Sequence, residues 1–305
     1  LEDSSFLSLD QPVFGELKRL IDEASPMLVH EQFGQKRPIP QGSGKTIEFR
    51  KFSPLPKALV PLTEGVTPSG NSLEVTNMTA TVEQFGDFIV QSDVLELTAI
   101  DNTILEATKL LGRQAGLTMD TIVRNIMNSG TNVSYAPKIS GSTETEVTSR
   151  KDLDKTAKLT VDVVQRIVAK LRAQNAPTIN GDYVAIIHPY VAYDLMRDPE
   201  WIDAHKYATP ENLYTGEIGK MAGVRFVQST EAKIDKGGSD NPSGLAVFHC
   251  LFIGDGAYGV TEVTGGGLQT IVKQKGSSGT ADPLDQRSSV GWKGLKAAKI
   301  LVDNY

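Results

Sequence analysis

Apolar residues return at three- and four-residue steps across positions 102–127: Ile104, Ala107, Leu111, Ala115, Ile122 and Ile126. That period predicts a helix, the longest in the chain, about 39 Å long at 1.5 Å per residue. Gly112 and Gly116 lie one turn apart inside it. Each costs about 1 kcal/mol against Ala, so they predict the close approach of another backbone. Ser129 and Gly130 end the pattern. A second amphipathic helix is predicted over 159–173, with Val163, Val164, Ile167, Val168 and Leu171 inward. Pro189 opens a short helix that runs through Met196. Near the start, Val13, Leu17, Leu20 and Ile21 share one face of a short helix over 13–24, bounded by Pro12 and Pro26.

Elsewhere the period is two. Ile47 and Phe49 alternate with Glu48 and Arg50, which predicts a strand over 46–52. Pro54, Pro56, Pro61 and Pro68 follow, with Gly65, Gly70 and Asn71. Proline lacks a backbone donor, so this segment reads as a long irregular tip. Residues 72–91 are strand-like again, rich in Val, Thr and Phe. Their alternation slips between Val75 and Met78 and again before Phe88, as β-bulges would make it do. Together these segments form a long two-stranded excursion. A lone hairpin is marginal in water, and the chain offers no obvious second sheet to receive this one. That is the first hint of assembly into oligomers. Further strands are predicted over 183–187, 224–227, 245–253, 268–274 and 296–302, with a polar loop over 131–149 and no internal repeat.

Composition narrows the class. The chain has 305 residues, 39% hydrophobic and 22% charged, enough for about two domains and too apolar for bulk disorder. The longest apolar stretch, 245–253, is short and broken by His249, so no membrane span is expected. The polar, acidic start predicts no signal peptide. The single cysteine, Cys250, excludes an internal disulfide and any multi-cysteine metal site, and is expected to be an inert buried thiol. A net charge of −6 argues against a strongly basic grip on nucleic acid.

The charge is unevenly spread. Acids dominate 1–31. The sign flips at Lys36, Arg37, Lys45, Arg50, Lys51 and Lys57, opposed by Glu48 alone. No Lys or Arg occurs from 58 to 108, a stretch that carries Glu64, Glu74, Glu83, Asp87, Asp93, Glu96, Asp101 and Glu106. Lys293, Lys296 and Lys299 make the end basic again. The plain reading is solvated surface. The sharper one is complementary patches that meet on neighbouring copies.

Two glycine motifs fail on inspection. Gly44-Lys45-Thr46 lacks the upstream glycine of a phosphate loop, since Ile39 stands there, and a strand follows where a helix is required. Residues 254–259 match dinucleotide-binding spacing, but Val260-Thr261-Glu262-Val263-Thr264 is β-branched and predicts a turn between two strands. His30, His188, His205 and His249 form no metal-ligand pair. His188 is expected to end a strand, and His205 to stack on Trp201. No Gly-x-Ser-x-Gly elbow occurs.

The order of features carries a resemblance: arm, long hairpin, long helix with two glycines, mixed domain, returning strand. It is carried by Leu111-Gly112-Arg113-Gln114-Ala115-Gly116 with Asp120, by Tyr183-Val184-Ala185-Ile186-Ile187-His188-Pro189, and by Asp198-Pro199-Glu200-Trp201. Positions 216–226 and the closing Val290-Gly291-Trp292-Lys293 add to it. This resembles major capsid proteins of tailed phages built on the Hong Kong 97 fold. More narrowly, it is similar to the family typified by the capsid protein of coliphage N-four. The resemblance spans nearly the whole chain and is weakest over 131–149 and 235–242.

It implies an α+β fold with an N-terminal arm (1–38) and an extended β-hairpin loop (39–92) that overlies a neighbouring subunit. A peripheral domain would hold the spine helix (93–155 and 265–305), and an axial domain would occupy 156–264. It further implies a shell of pentamers and hexamers of this chain around packaged double-stranded DNA, a virion protein assembled in the host cytoplasm. Scaffold, portal and cement proteins would be partners. No catalytic residue, cofactor, metal, membrane or small-molecule substrate is expected. Contacts between subunits are expected at Lys36, Arg37, Arg50, Lys51, Lys57, Glu64, Glu74 and Glu83, the basic stretch meeting the acidic stretch or the acidic arm of adjacent copies. Some related shells are cross-linked between a Lys and an Asn; Lys57 on the proline-rich tip is a candidate donor, but no motif supports it, and the plain reading is a solvated lysine. The alternatives are an encapsulin-type compartment around cargo enzymes, a tail or other virion structural protein, and a soluble nucleotide-dependent enzyme.

Overall fold

The computed structural model describes residues 28–38, 44–52, 55–62, 64–67, 69–94, 103–141, 143–206, 218–237, 245–262, 268–277 and 282–305, without the side chains of 204–206. The helix expected over 13–24, the Trp201–His205 stack and most of the arm therefore lie outside the described residues.

The centre of the chain is strand β7 (Tyr183–Ile187), buried along its whole length. It pairs antiparallel with β12 (Leu251–Ile253) and parallel with β9 (Val224–Gln228), which carries the short β8 (Lys220–Met221). Side chains alternate across a strand, so β7 serves two cores. Tyr183, Ala185 and Ile187 face helices α2 (Val161–Ala173) and α3 (Pro189–Met196). Val184 and Ile186 face the other way and meet Val123. A further helix, α4 (Pro199–Lys206), brings Trp201 edge-on to Phe226. The expected inner face of α2 is the observed one, and Thr160 caps its start by accepting from the Val163 N–H. His188 follows the strand as expected and also caps α3, accepting from the Tyr190 N–H at 3.2 Å.

The long helix is α1 (Thr103–Met127), within one residue of the predicted span. It bridges two bodies. Leu111, Ala115 and Met119 lie under a sheet of β4 (Glu83–Ser92), β15 (Arg287–Lys296) and β14 (Leu268–Lys273). One turn later Val123 packs on the β7 face. Gly112 and Gly116 are buried, as a close approach requires. Gln114 ties the helix to the sheet: Trp292 Nε1 donates to its Oε1 at 3.2 Å, and its Nε2 donates to Asp87 at 2.6 Å. At the centre of that sheet Gly291 stands opposite Phe88. A Cβ there would lie 2.7 Å from Phe88 Cβ and 2.9 Å from the Asp87 carbonyl oxygen. Gly291→Ala is therefore expected to lower stability by about 1–3 kcal/mol through overpacking, read as a fall in subunit melting temperature.

The hairpin differs from its sequence reading. Residues 72–91 are not one arm of it. β3 (Val75–Thr81) pairs with β2 (Thr46–Phe52), but after Val82 the chain changes partner, and β4 pairs with β15 over ten residues. Neither slip is a bulge: the pairing runs unbroken over 75–81 and over 83–92, and Val75 and Phe88 are out of step because they face solvent, while the change of sheet falls at Val82. β15 itself was not foreseen, because its glycines and lysines hide the alternation of Val290 and Trp292. Its sheet receives 83–92 alone, and β2 with β3 remains a two-stranded hairpin. The segment predicted as one strand over 245–253 is also two, β11 (Ala246–Phe248) with β10 (Ile234–Lys236), and β12 with β7. The end of the chain forms β16 (Ala298–Ile300) beside β13 (Tyr258–Thr261), whose other edge takes β1 (Gln35–Arg37). A small hairpin of β5 (Lys138–Ser140) and β6 (Thr143–Thr145) interrupts the polar loop.

Candidate functional site

Both glycine motifs are turns. Gly44, at φ +92°, leads into β2. Residues 254–257 join β12 to β13, with Gly256 at φ +71° and no helix following. A cleft of about 530 Å³ lies between the 128–159 segment, α2 and the 245–253 segment. Three of its cations have protein partners: Arg150 on Asp235 and Lys158 on Asp194, each at 2.7 Å, and Lys170 on Asn132 and Ser134. Cys250 lines it, half-buried and unpaired with sulfur. Burial pushes its thiol up to about 12, so it stays protonated and unreactive at neutral pH. Among the described residues no group of His, Cys, Asp and Glu could hold a metal ion, and no helix is long and apolar enough to cross a membrane.

The unusual surface lies on the hairpin. Phe52, Leu55, Leu59, Val60, Leu62, Val66, Leu73 and Val75 are all exposed, Val60 at 85% and Leu59 at 81%. Single exposed apolar residues are ordinary, but a run of this length on one projecting element marks a contact surface. Sequence reading passed over these residues because prolines break their period. The available signal was large aliphatics in a segment with no element able to bury them.

The expected contact residues divide between this hairpin and its root. Arg50 and Lys51 stand in β2 opposite Asn77 and Thr76, with Arg50 exposed. Lys57, Glu64 and Glu74 are exposed on the tip, and Lys36 is exposed in β1. Arg37 is half-buried at the end of β1, and Glu83 is exposed opposite Lys296. Among the described residues, none of these eight side chains makes a salt bridge or side-chain hydrogen bond within the chain. The structure therefore does not join the basic and acidic sets inside one subunit.

The root holds what sequence reading missed. His30, Glu31, Asp120, Tyr258, Thr261 and Lys296 form a buried polar network. Asp120 accepts from the His30 backbone N–H and meets His30 Nδ1, both at 2.7 Å. Tyr258 donates to the His30 carbonyl at 2.6 Å. Lys296 Nζ lies 2.5 Å from Glu31 and 3.0 Å from the Thr261 carbonyl. Burial pulls the Lys296 ammonium below the ordinary lysine value, and the Glu31 carboxylate opposes that pull. Burial pushes the Tyr258 hydroxyl up. Lys296, counted in the sequence among surface cations, is 1% exposed. The network fastens the point where residues 28–31 enter the body to α1 and β15.

A family model described as "Phage capsid protein" matches residues 76–305. The chain belongs to this phage capsid family. No curated protein matches the capsid protein in sequence. Solved structures similar to it include the cyanophage Pam1 capsid, with TM-score 0.68 and 14% identity over 93% of this chain and 89% of that one. The capsid of cyanophage P-SCSP1u gives 0.64 and 14% over 89% and 84%, and that of Ralstonia phage GP4 gives 0.64 and 15% over 88% and 82%. The architecture is the α+β Hong Kong 97-type capsid fold. The role of this capsid protein is structural, as a virion component whose copies assemble into a shell.

Proposed function

We propose that the capsid protein is the repeating subunit of an icosahedral phage head, in which pentamers and hexamers close around packaged double-stranded DNA. The hairpin with its tip is the loop that overlies a neighbour, α1 with the β4–β15–β14 sheet is the body of the peripheral domain, and the β7 sheet with α2 and α3 belongs to the axial domain. Assembly takes place in the host cytoplasm, with scaffold, portal and cement proteins as further partners. The observation that carries the reading is the exposed apolar tip. Hydrophobic burial contributes about 25 cal/mol per Å², and one subunit leaves that surface in water. The net charge of −6 suits a container that must also release its DNA.

Negative-stain electron microscopy with light scattering on purified protein tests the reading. Closed polyhedral shells, or discrete pentamers and hexamers, are expected. A compact monomer at every salt and protein concentration, with scaffold supplied, would overturn it. Particles packed with protein in place of DNA would point to an encapsulin-type compartment.

Arg50 and Lys51 supply the second test. Reversing both to Glu is expected to lower assembly yield several-fold at low salt, and to shrink the difference between low and high salt, because exposed charges are screened beyond about 10 Å at 0.1 M. Unchanged yield and unchanged salt response would remove these residues from the interface.

A further inference from the structure

The hairpin projects from the body, so something must fix its direction. Its deepest anchor is Phe49, which is fully buried among Ile47, Ala80, Val82, Ala297 and Leu301. The ring of Phe49 lies against the backbone of Gly259. A Cβ at position 259 would come within 2.6 and 2.7 Å of its Cδ1 and Cζ. Gly259 sits in β13, the middle strand of its sheet, paired with Gln35 on one edge and Lys299 on the other. The seat is therefore held from both sides, and Phe49 is the hairpin side chain that rests on it, beside Ile47, Ala80 and Val82, which pack with Ala297 and Leu301.

We propose that the Phe49 ring on the bare backbone of Gly259 sets the angle at which the hairpin presents its apolar tip to the next subunit, which makes Gly259 a positioning residue for shell assembly. The proposal rests on the assembly reading above. With a methyl group at 259, the ring must retreat by about 1 Å to regain ordinary contact. Stacked layers lie about 10 Å apart, so that retreat tilts the hairpin by roughly 6°. A tip about 30 Å away, within reach of a segment of about 20 residues, then moves by about 3 Å. A gap of about 0.5–1 Å already forfeits a quarter to a half of a dispersion contact, so such a shift changes which surfaces fit. Phe49 also belongs to the subunit core, so some loss of stability accompanies the change in curvature.

The test compares wild type, Gly259→Ala, Phe49→Leu and the double variant, by thermal unfolding of subunits and by the diameters of assembled shells in electron micrographs. Wild type is expected to give one main diameter. Gly259→Ala should shift that diameter or stall at capsomers. Phe49→Leu, which loosens the seat, should widen the spread about the wild-type mean. The double variant should return the mean to wild type, because leucine is shorter than the ring it replaces. A purely structural role would move the melting temperature and leave the diameters alone. Gly259→Ala shells of wild-type diameter and yield would overturn the proposal, as would a double variant that behaves like Gly259→Ala. Should Gly259→Ala fail to fold, an unchanged diameter spread in Phe49→Leu overturns it. Wild-type protein that forms neither shells nor capsomers overturns the assembly reading as a whole, whereas assembly indifferent to these variants overturns the seat alone.

Discussion

Replacing Leu59 and Leu62 together with aspartate is expected to abolish shell formation and leave the subunit folded. Both side chains are largely exposed, at 81% and 78%. Exposed positions away from special features change stability by about 0.5 kcal/mol or less, so the melting temperature should hardly move. In the shell the same positions are expected to be covered. Each leucine buried there contributes about 1.5–3 kcal/mol. An aspartate in its place adds the cost of a buried, unpaired carboxylate, several kcal/mol more. Two such sites lower pairwise affinity by a factor of roughly 10³ or more, and the loss repeats at every contact in the lattice. Sedimentation of the assembled fraction, run beside a thermal melt, reads both quantities. Shells of normal yield from the double variant would show that the tip is not an interface. A collapsed melting temperature would show that the tip packs on its own subunit.

The second large effect is on stability. Lys296→Met removes the partner of Glu31 and leaves a carboxylate in a site that is 5% exposed. Breaking a buried pair in this way costs about 3–5 kcal/mol. That is a fall of roughly 10 °C in melting temperature for a domain of ordinary size. Replacing both partners, with Lys296→Met and Glu31→Leu, should recover most of the loss, because an apolar pair of similar volume needs no desolvation of charge. A single variant that loses under about 1 kcal/mol in urea denaturation would mean that the pair is solvated. Asp120 belongs to the same network but holds His30 through a backbone N–H as well as the ring. Its removal therefore affects the path of the chain as well as a charge.

Tertiary context explains where the sequence reading departed from the structure. Apolar residues out of step over 72–91 suggest a bulge, but an exposed Val75 or Phe88 leaves the same mark in sequence, and the change of sheet at Val82 leaves none that stands apart from it. Only the ten-residue pairing with β15 shows that 83–92 leaves the hairpin. β15 escaped because Gly291 and Gly294 sit where strand residues are expected, and Gly291 is there for the close approach of Phe88. Lys296 reads as surface in the sequence because lysine is almost never fully buried unless paired, and its partner Glu31 is 265 residues away. Prolines break the period of the tip aliphatics, and the folded chain shows the exposure that follows.

The sequence by itself determined the elements whose signal is local and periodic. These are α1 and α2 with their inward faces, the alternation of Ile47 and Phe49, the buried strand at 183–187 and the failure of both glycine motifs. It also determined the order of elements, and that order carried the resemblance to the capsid fold. The tertiary structure decided everything that depends on pairing across distance: which sheet each half of 72–91 joins, the burial of Lys296 on Glu31, the seat of Phe49 on Gly259, and the exposure of the hairpin tip. Periodicity records which way a side chain points along its own element. What stands on the other side is set by residues tens to hundreds of positions away, and no local pattern encodes that.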